Sequence, residues 1–200
     1  MKSFRDPTGH RRTILEAAQK EFHRSGFRAA SLSRILASTG LTKGALYHHF
    51  PNKRALGYAV VEELLEKMVE EDWLIPLESC QDPLDCLKTR LRSAMERAGE
   101  EDLLLGCPVN NLALEMSTED EGFRLRVGRI YDRWLKGLAL ALRRGQEGGL
   151  VRADLEPLPT ATFIVGALAG CRSLAKNAKS LEVMAACGQS LEVYLDSLRP

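Results

Sequence analysis

Apolar side chains return every three or four positions along nearly the whole chain, and nowhere do they alternate over a run long enough for a half-buried strand. That periodicity confines the chain to helix packed on helix. Residues 10–25 place Ile14, Ala17, Ala18 and Phe22 on one face, and Gly26 follows as a stop. Ser31 is placed to cap a short helix with Leu32, Ile35 and Leu36 inward, and Thr42 to cap another ending near His49. Asn52 opens a long helix expected to reach about Ile75, with Leu56, Val60, Leu64 and Met68 as its buried stripe and Pro76 as its terminator. A further helix is expected from Asp82-Pro83 to near Gly99, with Leu84, Leu87, Leu91 and Met95 inward, and a shorter one from Gly106-Cys107-Pro108 to Met116. Thr118-x-x-Glu121 reads as a capping box for a long helix closed by Gly148-Gly149. Two more run from Pro159 to Lys176 and from Ser180 onward. The fold class is therefore all-α, about nine helices with short connections.

With 200 residues the chain can bury a core without staples, and 44% hydrophobic with 28% charged residues excludes a disordered or collagen-like chain. The uncharged apolar stretch 158–171 is shorter than the roughly 18 residues of a membrane span, and no apolar run marks a secretory leader. A cytoplasmic protein without a membrane partner is expected. Five cysteines, Cys80, Cys86, Cys107, Cys171 and Cys187, form an odd set with no CxxC pair. That pattern points to free thiols in a reducing compartment, with no metal site and no cofactor.

The net charge of +1 conceals a division. Residues 1–57 hold eleven basic and three acidic side chains, a formal +8, and all four histidines; residues 58–200 carry −7. A basic head on an acidic body reads as a polyanion-binding segment joined to one with another task. The chain is accordingly divided into a polyanion-binding head over 1–57 and an acidic body over 58–200, with the long helix from Asn52 as the lever between them.

Within the head, two helices of seven or so residues are too short to stand alone and need residues 10–25 to pack on. They are joined by Ser38-Thr39-Gly40-Leu41, the spacing of a helix-turn-helix whose second member enters the major groove. At 100° per residue, Leu46 pointing inward sends Gly44 and His48 outward, flanked by Ala45 and Tyr47. Two small residues permit close backbone approach, and Tyr47 and His48 offer hydrogen bonds to phosphates or base edges. Lys43 opposes the helix dipole, a cost that phosphate contact would offset. Asn52-Lys53 at the next helix start is an anion-binding arrangement.

The segment Gly40-Leu41-Thr42-Lys43-Gly44-Ala45-Leu46-Tyr47-His48-His49-Phe50-Pro51-Asn52-Lys53-Arg54-Ala55-Leu56 resembles the DNA-binding signature of the TetR family of one-component bacterial regulators. Ile14-Leu15-Glu16-Ala17-Ala18 and Phe22-His23-Arg24-Ser25-Gly26-Phe27 fit the same family's first helix. The resemblance implies a three-helix head, a variable helical body and a homodimer. It implies recognition contacts from Thr42, Lys43, Gly44, Ala45, Tyr47 and His48, and phosphate clamping by Lys53, by the helix starting at Ser31, and by Arg34.

In the body, Leu181, Met184, Gly188, Leu191, Leu195 and Leu198 recur at 3-4-3-4-3 spacing, a coiled-coil-like seam. The preceding helix, with Ile164 and Leu168, is apolar on most sides, so one side is expected to face a second subunit across a two-fold axis that suits a palindromic operator. Burial of both helices within one protomer is the alternative. Middle-helix apolar residues, among them Leu103, Leu104 and Trp134, are candidates for core or for an apolar pocket with polar anchors Asn110, Asn111, Tyr131 and Arg172.

Cys107 stands at a helix start, where the dipole favours a thiolate and raises reactivity. Its Gly-Cys-x-x-x-Asn-Leu segment resembles a TetR subgroup that includes repressors responding to electrophiles and oxidants, which implies an approaching lysine, here Lys176. A buried structural cysteine is the other reading. There is no Gly-x-Ser-x-Gly elbow, His-Glu-x-x-His or P-loop, so catalysis is not expected. The expectation is a repressor that binds duplex DNA and is released by a small apolar or electrophilic effector, with a helical protein-interaction adaptor as the alternative.

Overall fold

The computed structural model describes residues 7–97 and 104–200, and side chains over 9–94 and 104–200. The expectations for the Met95 side chain, for Gly99 and for Leu103 lie outside them. The described residues form helices and turns and no strand. The helices are α1 (Pro7–Ser25), α2 (Leu32–Thr39), α3 (Lys43–His49), α4 (53–79), α5 (Pro83–Arg97), α6 (Pro108–Met116), α7 (Glu121–Glu147), α8 (Pro157–Ala178) and α9 (Leu181–Asp196). They group into two compact units, residues 1–67 with 111–127, and residues 68–110 with 128–200.

Local chemistry starts most helices where the sequence indicates. Ser31 Oγ accepts the Ser33 and Arg34 amides, Thr42 Oγ1 the Ala45 amide, Asn52 Oδ1 the Ala55 amide and Ser180 Oγ the Val183 amide. Gly40 closes α2 in the left-handed region at φ 68°. The cap of α7 is a correction. Asp120, rather than Thr118, holds the position, its Oδ1 accepting the Phe123 amide at 3.1 Å. A carboxylate directly ahead of Glu121 displaces the capping box.

The course of α4 is a second correction. The helix is α over Lys53–Val60, widens to a π turn over Val61–Leu65, returns to α over Glu66–Val69, widens again over Glu70–Leu74, and continues through Pro76 to Ser79. Each π turn accommodates one extra residue. The buried stripe therefore steps from Leu56 and Val60 to Val61 and Leu65 in the first unit, and through Val69, Leu74 and Leu77 in the second. Leu64 and Met68, expected inward, are only half-buried. Pro76 does not end the helix. The Asp72 carbonyl, which a proline at 76 leaves without an amide donor, accepts Arg90 Nε at 2.6 Å.

The first unit centres on Ile14, Ala18, Phe22, Ile35, Leu46, Phe50 and Leu56, all buried. Phe27 and Phe123 meet edge to face at 4.6 Å, and a Cβ on Gly57 would come within 2.6 Å of both rings, so α4 passes there only without a side chain. Residues 111–127 are tied into this unit by two carboxylates. Glu115 accepts the amides of Phe27 and Arg28 at 2.7 Å each, and Asp120 accepts the Tyr58 hydroxyl at 2.6 Å and pairs with Arg54 at 3.0 Å.

In the second unit Leu84, Leu87, Ile130, Leu138, Leu142 and Ile164 are buried, and Trp134 packs on Trp73 at 5.4 Å. Ion pairs link α5 to α9 and the C-terminus: Lys88 to Asp196, Arg92 to Glu192, and Arg199 to Asp82 and Asp85. Cys80 and Cys86 form a disulfide with their Cα atoms 6.3 Å apart, which corrects the expectation of five free thiols. Because α4 continues past Pro76, Cys80 stands at its end and the turn into α5 brings Cys86 back to it. Cys107, Cys171 and Cys187 are free. At 22 residues, α8 is long and apolar enough to cross a membrane, which the shorter uncharged stretch is not; much of its surface is exposed, including Leu158, Phe163 and Leu174.

Candidate nucleic-acid interface

The short helix α3 is fixed from beneath by Leu46 and Phe50, both buried against α1. Its opposite side is open. Thr42, Lys43, Gly44, Tyr47 and His48 are exposed and Ala45 is half-buried, the arrangement that the helical angles require. With His10 from α1, and with Gly40, Leu41 and His49, residues Thr42, Gly44, Ala45 and His48 line one surface groove of about 570 Å³. His10 escaped the sequence reading; its contribution depends on how α1 crosses α3. A Cβ on Gly44 would meet nothing nearer than Thr42 Oγ1 at 3.8 Å. Burial, then the neighbouring charges of His48, Arg11 and His10, hold His49 below the usual imidazole range.

Most of the positive charge of the head is engaged internally. Arg11 pairs with Glu63, Arg12 with Glu16, Arg34 with Glu21, and Arg54 with Asp120. Arg34 also donates to the Ala29 carbonyl, which fixes its guanidinium beside the start of α2. Lys53 is turned inward. Its Nζ lies 2.9–3.0 Å from the carbonyls of Phe27, Arg28 and Ala30 and sits over the Phe27 ring. An ammonium has three donors, and all three are committed, so the expected phosphate clamp has none left in this geometry. Ser31 serves its own helix as a cap. Lys43 has no ion pair among the described residues and stands at the open first turn of α3.

The surface is thus a three-helix platform presenting a short helix with small residues in its first turn. Residues 14–60 match the family described as bacterial regulatory proteins, tetR family, and residues 83–190 match the tetracyclin repressor-like C-terminal domain. The chain belongs to the TetR family. The HTH-type transcriptional repressor DhaR of Mycobacterium sp. (strain GP1) is 26% identical over 95% of this chain and 92% of its own length. The A-factor receptor protein of Streptomyces griseus is 31% identical over 80% of this chain and 52% of its own length. A TetR transcriptional regulator from Chloroflexus aurantiacus, solved by crystallography, superposes with a TM-score of 0.81 at 26% identity, over 96% of this chain and 97% of that one. The chain is a transcriptional regulator, and these three relatives are named as a repressor, a receptor protein and a regulator.

In the body of this TetR-family regulator, several candidate effector residues meet. Cys107 is buried just ahead of α6, after Gly106 in the left-handed region. The Gly106 carbonyl accepts Arg172 Nη2 at 3.0 Å. The Asn110 amide donates to Ser173 Oγ at 3.2 Å, and its carbonyl oxygen accepts the Tyr131 hydroxyl at 3.4 Å. Burial, then the proximity of Cys107, pushes the Tyr131 phenol well above its ordinary range, so it stays a donor. Trp134 is core rather than lining. Asn111 falls in the other unit, and Lys176 is exposed at the end of α8 while Cys107 is buried.

The residues assigned to a dimer seam divide. Ile164, Met184, Leu191 and Leu195 are buried within the protomer itself, while Leu168, Leu181 and Gly188 are half-buried. The seam of α9 is filled from inside the chain, because α5 and α8 pack against it. The open apolar surface is on the other side of the pair, at Phe163, Leu174 and Val193, with Gly166 and Gly170 bare between the first two.

Proposed function

We propose that this regulator is a homodimeric repressor that seats α3 in the major groove of a palindromic operator and is released by a small apolar or electrophilic molecule. Residues 1–57 carry the DNA-reading surface in this reading. The observation that carries it is Gly44. Its φ is not in the left-handed region, it lies in the first turn of a helix, and nothing packs on it. A glycine in a helix is less favourable than alanine, by up to about 0.5–1 kcal/mol at mid-helix, and here it has no return inside the protein. Close approach of a polyanion accounts for it, together with the unpaired Lys43 and the exposed Tyr47 and His48 beside it.

The test is fluorescence anisotropy on duplex DNA from the flanks of the coding sequence. Lys43→Ala and Tyr47→Ala are expected to weaken operator binding about five- to 150-fold, roughly the 1–3 kcal/mol of a single contact, with unchanged melting. Gly44→Ala is expected to raise the melting temperature and still weaken binding. Full affinity in all three removes α3 from the interface.

The open faces of α8 and α9 support dimerisation through Phe163, Gly166, Gly170, Leu174 and Val193. Cys107, Asn110, Tyr131 and Arg172 support an effector site: a thiol beside a neutral phenol and a fixed amide. Cys107→Ser is expected to abolish operator release by a quinone or maleimide, measured in the same anisotropy assay. A serine variant that still responds fully makes Cys107 structural.

A further inference from the structure

The second unit holds another pair of thiols. Cys171 on α8 and Cys187 on α9 line one small apolar cavity of about 50 Å³, walled by Trp73, Leu91, Leu168, Met184 and Leu191. Cys171 falls on the inward face of α8 with Ile164 and Ala175, away from the open face at Phe163 and Leu174. The two thiols are near enough across it to interact. Arg172 borders the same cavity, and its Nε is buried without a hydrogen-bond partner. A buried N–H without an acceptor is costly, and it leaves one donor at the cavity wall.

We propose that Cys171 and Cys187 form a dithiol site for trivalent arsenic. Two neutral thiols in an apolar enclosure suit a soft centre that binds sulfur in pairs. Arsenous acid condenses with both: two As–O bonds break, two As–S bonds form, and each thiol proton leaves with a hydroxide as water. Arsenic stays trivalent, and no oxidant is needed. The remaining As–OH is an acceptor of the kind Arg172 Nε lacks.

The protonation state separates this chemistry from its competitors. Burial, and next the interaction with Cys187, pushes the Cys171 thiol up to about 12. It therefore remains a thiol near neutral pH, which disfavours alkylation and disulfide exchange, both of which run through thiolate. Condensation with arsenous acid uses the thiol as it stands. The site is independent of the DNA-binding reading.

The experiment adds sodium arsenite to the full-length protein in a Cys80→Ser/Cys86→Ser background, so that a reduced Cys80–Cys86 pair does not contribute. Arsenic retained after gel filtration is measured by elemental analysis, and free thiols by a colorimetric thiol reagent. One arsenic per protomer is expected, with loss of two of three thiols, resistance to glutathione and reversal by dithiothreitol. Cys171→Ala and Cys187→Ala should each abolish retention, and Cys107→Ser should retain it. Matching circular dichroism melts keep a folding failure apart from a binding failure. Retention in either alanine variant, no retention in the background protein, or thiol loss without bound arsenic overturns the assignment.

Discussion

Lys43 and Lys53 carry the same ammonium within one short motif, and only their surroundings distinguish them. Lys43 ends in open solvent at the start of α3; Lys53 ends among three carbonyls of the turn after α1. Both read from sequence as phosphate contacts, because type and spacing are all a sequence supplies. That the turn at residues 27–30 converges three carbonyl oxygens on one point is a tertiary fact. Lys53→Met is therefore expected to cost about 1–3 kcal/mol of stability in urea unfolding, the penalty of leaving acceptors unmet. It should leave the salt slope of operator binding unchanged, whereas Lys43→Ala should lower that slope by about 1. A reduced slope for Lys53→Met restores it to the phosphate interface. Gly44 was legible for the opposite reason: its outward direction follows from helical angle alone.

Among the elements, what sequence discloses depends on range. Ser31, Thr42, Asn52 and Ser180 cap the helices they precede, since a cap is settled within three residues. The register of α4 was hidden, because π turns leave no local sequence mark and the Asp72 carbonyl ahead of Pro76 is met by Arg90, far along the chain. The Cys80–Cys86 disulfide was hidden with it, since a helix ending before Pro76 places Cys80 elsewhere. The start of α7 rests on a carboxylate whose titration can be followed. The Tyr58 hydroxyl, then the Phe123 amide and Arg54, hold Asp120 below the usual carboxylate range. A depressed folded value means that its contribution is complete above the ordinary value of about 3.9 and is lost as pH falls through the lower one. Asp120→Asn keeps a capping oxygen without the charge. The variant should melt lower at pH 7, and the gap to the parent should close as the pH falls below the ordinary carboxylate range in circular dichroism melts. A gap that persists at pH 2 assigns the loss to packing rather than charge.

At the scale of the whole molecule, the helical class and the sign of the head's charge were both readable, but where that charge is free was not. The formal +8 over residues 1–57 already counts Glu16 and Glu21, which hold Arg12 and Arg34, and Glu63 and Asp120 from beyond the head engage Arg11 and Arg54 as well. The proposed dimer rests on the face of α8 that the protomer leaves open. A Cβ on Gly170 would meet nothing within 4 Å, so Gly170→Glu should leave the protomer folded. Its charge should nevertheless oppose apposition of two such faces. Analytical ultracentrifugation should find a monomer, with operator affinity lost alongside. A dimer that still binds moves the interface off α8.

Glu115 and Asp120 carry a practical consequence for anyone wishing to graft this reader onto another sensor. Cut after residue 57, the fragment would leave behind the acceptor for two amides of the Phe27 turn, the partner of Arg54 and the ring that meets Phe27 edge to face. A working chimera has to bring the stretch 111–127 along with the N-terminal helices, so the portable part of this regulator is discontinuous in the gene.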